Sequence, residues 1–199
     1  MSVLRKLLIA TTNQGKLNEI IPILEGLPME IVRLADWGRV PAPDETGRTF
    51  AENARAKALY YTRVTGELTV AEDSGLAVDA LDGAPGVESA RYGGELASYP
   101  EKFALVYDAL RSKNALESAA RFVCAVALAE PGRVLFETEG VIEGRIAPRP
   151  RGEGGFGYDP IFYYPPFAAT LAEAGSRKSA VSHRGQAFRA LRTFLGSGF

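Results

Sequence analysis

Residues 3–26, VLRKLLIATTNQGKLNEIIPILEG, decide the fold class. Residues 3–10 form a short apolar run that ends at a polar turn, Thr12-Asn13-Gln14-Gly15, and read as a buried strand. Leu17, Ile20, Ile21 and Leu24 then recur on one helical face, and Gly26 supplies a stop. A strand feeding directly into a helix opens an α/β unit, and a second strand is expected over residues 30–34.

The rest of the chain extends this pattern. Residues 36–48 are rich in Pro, Gly and acids and read as loop. Thr49-Phe-Ala-Glu52 has the form of a capping box, and Phe50, Ala54, Ala58 and Tyr61 continue as a helix stripe. A short strand over residues 68–71 is expected to run into Glu72-Asp73-Ser74-Gly75. A Gly-rich stretch from Gly83 to Gly94 precedes a helix carrying Phe103, Val106, Tyr107 and Leu110 on one side. Residues 119–129 and 134–142 read as two long strands joined in a hairpin at Pro131-Gly132. Residues 149–158 form another Gly-rich loop, and Ala187, Leu191 and Phe194 mark a closing helix. The expected architecture is α/β, a mixed central sheet with flanking helices, in two lobes around a cleft, with residues 1–199 as a single domain.

Composition narrows the function classes. The 199 residues are 46% hydrophobic and 24% charged, enough for a substantial core. No run approaches the roughly 18 apolar residues that cross a bilayer, and the opening MSVLRKLLIATTNQGK holds too short an apolar stretch for a signal peptide. The single cysteine, Cys124, lies in an apolar run and reads as a buried small hydrophobe. A cytoplasmic protein with no membrane partner is expected. The net charge of −1 argues against a partner that is a long nucleic acid, but it leaves small anions open.

Five segments carry residues suited to chemistry. Thr11-Thr12-Asn13-Gln14-Gly15-Lys16 stands between a strand and a helix, where unpaired N–H groups attract phosphate; a polar turn capping a helix is the alternative. It is no Walker A loop, because Ala10 stands where the first glycine belongs. Asp44-Glu45-Thr46-Gly47 leads into a helix with Glu52, Asn53 and Lys57, either as solvated acids or as part of a site. Glu72-Asp73-Ser74-Gly75 follows apolar residues, where a carboxylate can hold a hard cation or orient water, or simply form a turn. Gly152 to Pro160 contains a literal GxGxxG but no helix start, so it is no dinucleotide fingerprint. It does place Phe156 and Tyr158 beside glycines, as a stacking surface for a purine base or as core. Lys178, His183 and Arg184 cluster at the opening of the last helix. His183 is the only histidine, so zinc chemistry is disfavoured, and these donors suit phosphate or a base carbonyl.

In this order the strings ATTNQGK, DETGRTFAENARAKA, AEDSGLAVDALDGAPGVESARYGG, GFGYDPIF and SHRGQAFRAL resemble the inosine/xanthosine triphosphate pyrophosphatase family over nearly the whole chain. The resemblance implies hydrolysis of ITP, dITP and XTP to the monophosphate and pyrophosphate, with Mg²⁺ as cofactor and a homodimer as the working form. It implies contacts to the triphosphate from Thr11 to Lys16 and from Lys57. Asp73 would be proton acceptor and Mg²⁺ ligand, with Ser74 beside it on the substrate. Phe156, Gly157, Tyr158 and Asp159 would surround base and sugar, and Lys178, His183 and Arg184 would complete recognition. Where the family often has Glu-Glu-Thr-Gly this chain has Asp44-Glu45-Thr46-Gly47; Asp44 is taken as second metal ligand, with Glu45 as the substitute. A pyrimidine-directed Maf-like enzyme is expected to lack GFGYDP and SHRG, and a nucleotide-binding regulator without turnover is the rival from another class.

Overall fold

The computed structural model describes residues 4–38 and 40–198. The elements run β1 (Arg5–Ile9), α1 (Gln14–Leu24), β2 (Met29–Arg33), α2 (Phe50–Thr65), β3 (Leu68–Val78), α3 (Tyr99–Ser112), β4 (Ala119–Glu130) and β5 (Arg133–Ile146). They close with β6 (Phe162–Tyr164), β7 (Ala169–Thr170), the single turn α4 (Lys178–Val181) and α5 (His183–Gly196). The strands hydrogen-bond in the order β2-β1-β3-β4-β5-β6-β7. β1 pairs in parallel with β2 and β3, while β6 pairs antiparallel with β5 and β7, so the sheet is mixed as the sequence predicts. Val3, where the sequence reading begins the first strand, lies outside the described residues.

The chain divides into two compact units. The first comprises Met1–Asp73, Cys124–Gly140 and His183–Phe199; the second comprises Ser74–Val123 and Val141–Ser182.

Strand alternation sorts the core of the first unit. Leu7, Ile9, Leu68, Val70, Cys124, Val126 and Leu128 pack with Leu17, Ile20 and Leu24 of α1 and Phe188 and Leu191 of α5. The intervening Leu8, Ala71, Ala125 and Ala127 pack with Ala54, Ala58 and Tyr61 of α2. Small alanines on the α2 side let that helix approach the strands. In the second unit Leu76, Val78, Phe122, Ile142, Ile146 and Phe162 bury Phe103, Val106, Tyr107 and Leu110 of α3, the four residues the sequence placed on one helical side.

Local signals explain the helix ends. Asn13 caps α1, its side-chain oxygen accepting the Lys16 N–H at 3.1 Å. Thr49 caps α2 by accepting the Glu52 N–H. The expected reciprocal bond of the capping box goes one residue astray: Glu52 accepts the N–H of Arg48 at 2.6 Å instead. β3 is the main departure from expectation. It continues through Glu72-Asp73-Ser74-Gly75 to Val78 rather than stopping at Ala71, because these residues stay paired within the sheet.

β5 meets α5 at Gly140. A Cβ there would fall inside van der Waals distance of the His183 carbonyl oxygen and lie 2.8 Å from the Ala187 nitrogen, both backbone atoms that cannot swing aside. Gly140→Ala should therefore destabilise the protein by about 1–3 kcal/mol through overpacking, measured as a lower urea midpoint at unchanged m-value. An unaltered midpoint would show that α5 does not press on this strand.

Candidate active site

The site residues of the first unit assemble around two neighbouring carboxylates of β3. Because successive strand side chains point to opposite faces, Glu72 and Asp73 serve different neighbourhoods.

Asp73, 5% exposed, meets the residues of α2. Its Oδ2 accepts the Asn53 side-chain amide at 3.0 Å and its Oδ1 accepts the Lys57 ammonium at 3.1 Å. Asn53 and Lys57 are four apart, so one helical face presents both. The same ammonium lies 2.7 Å from Glu45 Oε1. Asn53 also accepts the Gly47 N–H at 2.8 Å, which ties the acidic loop to the helix. Gly47 is required by close approach: a Cβ would sit 2.5 Å from Asn53 Oδ1. Burial pushes the Asp73 carboxyl above its ordinary value; Lys57 opposes this, and the charge of Glu45 adds to it. Burial alone would drive Lys57 toward neutrality, but Asp73 and then Glu45 hold its pKa above the usual lysine range.

Glu72, 4% exposed, binds the cations of the other face. Its Oε1 lies 3.0 Å from Lys16 Nζ and accepts Arg184 Nε–H at 3.2 Å. Its Oε2 accepts the Cys124 thiol at 3.3 Å. Burial, followed by the charge of Glu72, raises the Cys124 pKa far above normal, so the thiol remains a donor. Arg184 also donates to Glu19 Oε2 at 2.7 Å. Burial works against its charge, but Glu72 and Glu19 overcome that and fix the guanidinium as a cation.

Three segments remote in sequence thus meet at Glu72: Lys16, Glu72 itself, and Arg184, whose neighbour His183 is buried at 4% exposure. Thr12, Asn13 and Gln14 are exposed at the start of α1, with Thr11 and Gly15 half-buried. The Asn13 oxygen is committed to the helix cap and Gln14 donates to Asn18 at 2.7 Å, so these side chains are already engaged. Asp44 is exposed, whereas Glu45 shares Lys57 with Asp73.

In the second unit Ser74 is half-buried on β3, and Asp159 organises the Gly-rich loop. The Asp159 Oδ2 accepts the Phe156 N–H at 2.8 Å and the Lys178 ammonium at 2.6 Å, with Lys178 5.0 Å from the centre of the Phe156 ring. A Cβ on Gly155, at φ +71°, would collide with that carboxylate. Gly157 also holds a left-handed φ, of +68°. Tyr158 follows the core alternative: it is 4% exposed, its hydroxyl donates to the Ser89 carbonyl at 3.0 Å, and its ring packs on Tyr99 and Phe103.

Sequence reasoning placed Asn53 and Glu72 in equipped segments without giving them these partners, read Cys124 only as a buried small hydrophobe, and passed over Glu19. The four-residue spacing of Asn53 and Lys57 was a usable signal for the first. Nothing local marks Glu19, which is 165 positions from its partner.

Residues 7–194 match the family described as the Ham1 family. The chain belongs to the Ham1 family. Curated Ham1 relatives include the dITP/XTP pyrophosphatase of Geobacter sulfurreducens, 47% identical over 96% of this chain and 96% of that protein. The dITP/XTP pyrophosphatase of Gloeobacter violaceus is 49% identical over 98% of this chain and 97% of its own length. Among solved structures, a HAM1 protein from Coxiella burnetii superposes with a TM-score of 0.91 at 41% identity, over 98% of this chain and all of its own (100%).

Removing Glu72 would take a carboxylate partner from the buried Arg184 guanidinium. Glu72→Ala should cost about 3–5 kcal/mol, the usual penalty for orphaning one half of a buried pair. Asp108→Ala, which breaks an exposed pair with Arg111, should cost far less. Urea unfolding of both variants checks the contrast, and equal losses would contradict it.

Proposed function

We propose that this Ham1 protein hydrolyses the deaminated purine nucleotides ITP, dITP and XTP to the monophosphate and pyrophosphate, with Mg²⁺ as cofactor. The names of its relatives support the substrate class. The observation that carries the chemistry is the buried Asp73 carboxylate, oriented by Asn53 and Lys57 beside a second acid, Glu45.

The residues fit the metal. Glu45 and Asp73 converge on one positive centre, the Lys57 ammonium, so two hard oxygen anions already surround a cation position. Among the described residues no group of three or more His, Cys, Asp or Glu forms a cage. Mg²⁺ commonly binds through one or two carboxylates and substrate phosphates. Asp73 and Glu45 would hold it. When bound, it neutralises phosphate oxygens and acidifies water.

The chain supplies the rest. Asp73 positions the attacking water and takes its proton; its raised pKa makes it a better base than an ordinary carboxylate. The segment from Thr11 to Lys16 contacts the phosphates, with the Gln14 and Gly15 N–H groups at the start of α1 facing them and the eleven-residue helix adding its dipole. Lys16 and Lys57 offset charge on the leaving pyrophosphate, and Ser74 donates to it. Glu72 steadies Lys16, while Arg184 acts by holding Glu72, since its guanidinium is only 2% exposed. In the second unit Phe156, Gly157, Asp159 and Lys178 take base and sugar. Inosine and xanthosine carry a carbonyl at the six-position, which hydrogen-bond donors recognise. Adenine presents an amino group there and would leave those donors unpaired, a mismatch that polar sites reject strongly. Family resemblance further supports a homodimer in the cytoplasm, with sedimentation equilibrium as the check on assembly.

Asp73→Asn should retain the wild-type melting profile and nucleotide binding while losing turnover by at least about 10²–10³-fold, the scale of removing one essential polar group. Pyrophosphate released from ITP, with and without Mg²⁺, is the readout for both variant and wild type. Orthophosphate as first product, or equal rates without Mg²⁺, would defeat the corresponding part of the assignment.

A further inference from the structure

The Gly-rich loop presents an aromatic surface, but its exposed ring comes from another element. Tyr158 is sealed, with its hydroxyl spent on the Ser89 carbonyl. Tyr99, the first residue of α3, covers it: the two rings meet edge to face, 5.5 Å apart at 87°. Tyr99 remains 38% exposed. Its phenol faces Gly157. A Cβ built on that glycine would lie 3.6 Å from the Tyr99 hydroxyl and 3.8 Å from Cε1 and Cζ, so the missing side chain leaves a gap walled by the phenol. The left-handed φ of Gly157 keeps the gap open, because any larger residue would be strained there.

The ring is also held in place. Lys102, one turn on along α3, is 4% exposed, donates to the Ala90 carbonyl at 2.6 Å and sets its ammonium 4.9 Å from the Tyr99 ring centre. The cation–π contact and the perpendicular Tyr158 ring fix the phenol from two directions. Among the described residues the Tyr99 hydroxyl has no hydrogen-bond partner. Burial, and then the charge of Asp159, raise its pKa, so it stays a donor through the physiological range. A fixed, half-exposed, protonated hydroxyl beside a glycine gap is suited to an acceptor on a flat ligand.

We propose that Tyr99 is a specificity-determining residue of this protein, its hydroxyl donating across the Gly157 gap to a carbonyl oxygen on the edge of a deaminated purine base. This rests on the base being received by the Phe156–Asp159 loop, as proposed above. It assigns recognition to a residue outside the motifs that the family resemblance singles out, on the first turn of a helix that otherwise serves the core.

The test compares two monophosphates that differ in the carbonyl: inosine 5′-monophosphate, and purine riboside 5′-monophosphate, which has no six-oxygen. Calorimetry gives both dissociation constants for the wild type and for Tyr99→Phe, which keeps the ring and its packing on Tyr158 and Lys102. The preference for the inosine compound should fall roughly 3- to 10-fold in the variant, the range of one neutral hydrogen bond. An unchanged preference, or equal weakening of both ligands, overturns the role of Tyr99, as does a wild type that binds neither. Tyr99→Ala should weaken both ligands by removing the wall, and wild-type affinity for both in that variant would also overturn the proposal. Because binding is read without turnover, failure of the hydrolase assignment is separable: it would appear as absent pyrophosphate release from ITP beside an intact inosine preference.

Discussion

The alternation of side chains along β3 is the constraint on which the first unit depends. Two adjacent acids, Glu72 and Asp73, are sent to opposite faces of the sheet, and each collects its own positive partners. On one face Glu72 joins Lys16 of α1 and Arg184 of α5; on the other Asp73 joins Asn53 and Lys57 of α2. A shift of one residue in β3 would exchange the two carboxylates and flip Leu68, Val70 and Ala71 as well. The apolar packing of the strand therefore fixes the polar site, because the register that buries the aliphatic residues also aims the acids.

Electrostatic balance explains why these groups tolerate burial. An isolated charge in a protein interior is costly, and a pair is tolerated when its remaining hydrogen-bonding capacity is filled. Glu72 and Glu19 offset Lys16 and Arg184, and the Cys124 thiol fills a further acceptor position on Glu72. The Asp73 cluster is balanced differently, with two carboxylates around one ammonium. Burial, with the charge of Glu45 adding to it, raises the pKa of Asp73 in this cluster.

The second unit uses one carboxylate in a similar way. Asp159 gathers the Phe156 N–H and the Lys178 ammonium, and so gives an irregular Gly-rich loop a defined shape without a strand or helix to support it. Gly155 makes room for that carboxylate, and Gly157 leaves a gap beside Tyr99. Tyr158 spends its bulk on the core beneath.

By itself the sequence determined the α/β class, the β1–α1 opening, the long hairpin of β4 and β5, and the apolar stripes of α3 and α5, because these follow from local periodicity and turn chemistry. It also determined which segments are chemically equipped, since Lys16, Lys57, Asp73, Lys178 and Arg184 all fall within recognisable polar strings. Only the tertiary structure decided how those residues pair. The extension of β3 through Glu72-Asp73, the placing of Glu45 beside Lys57, the burial of Tyr158 and the contact of Arg184 with Glu19 depend on neighbours far along the chain. Local sequence carries periodicity, whereas these outcomes depend on which distant side chain arrives at hydrogen-bonding distance once the sheet and helices have packed.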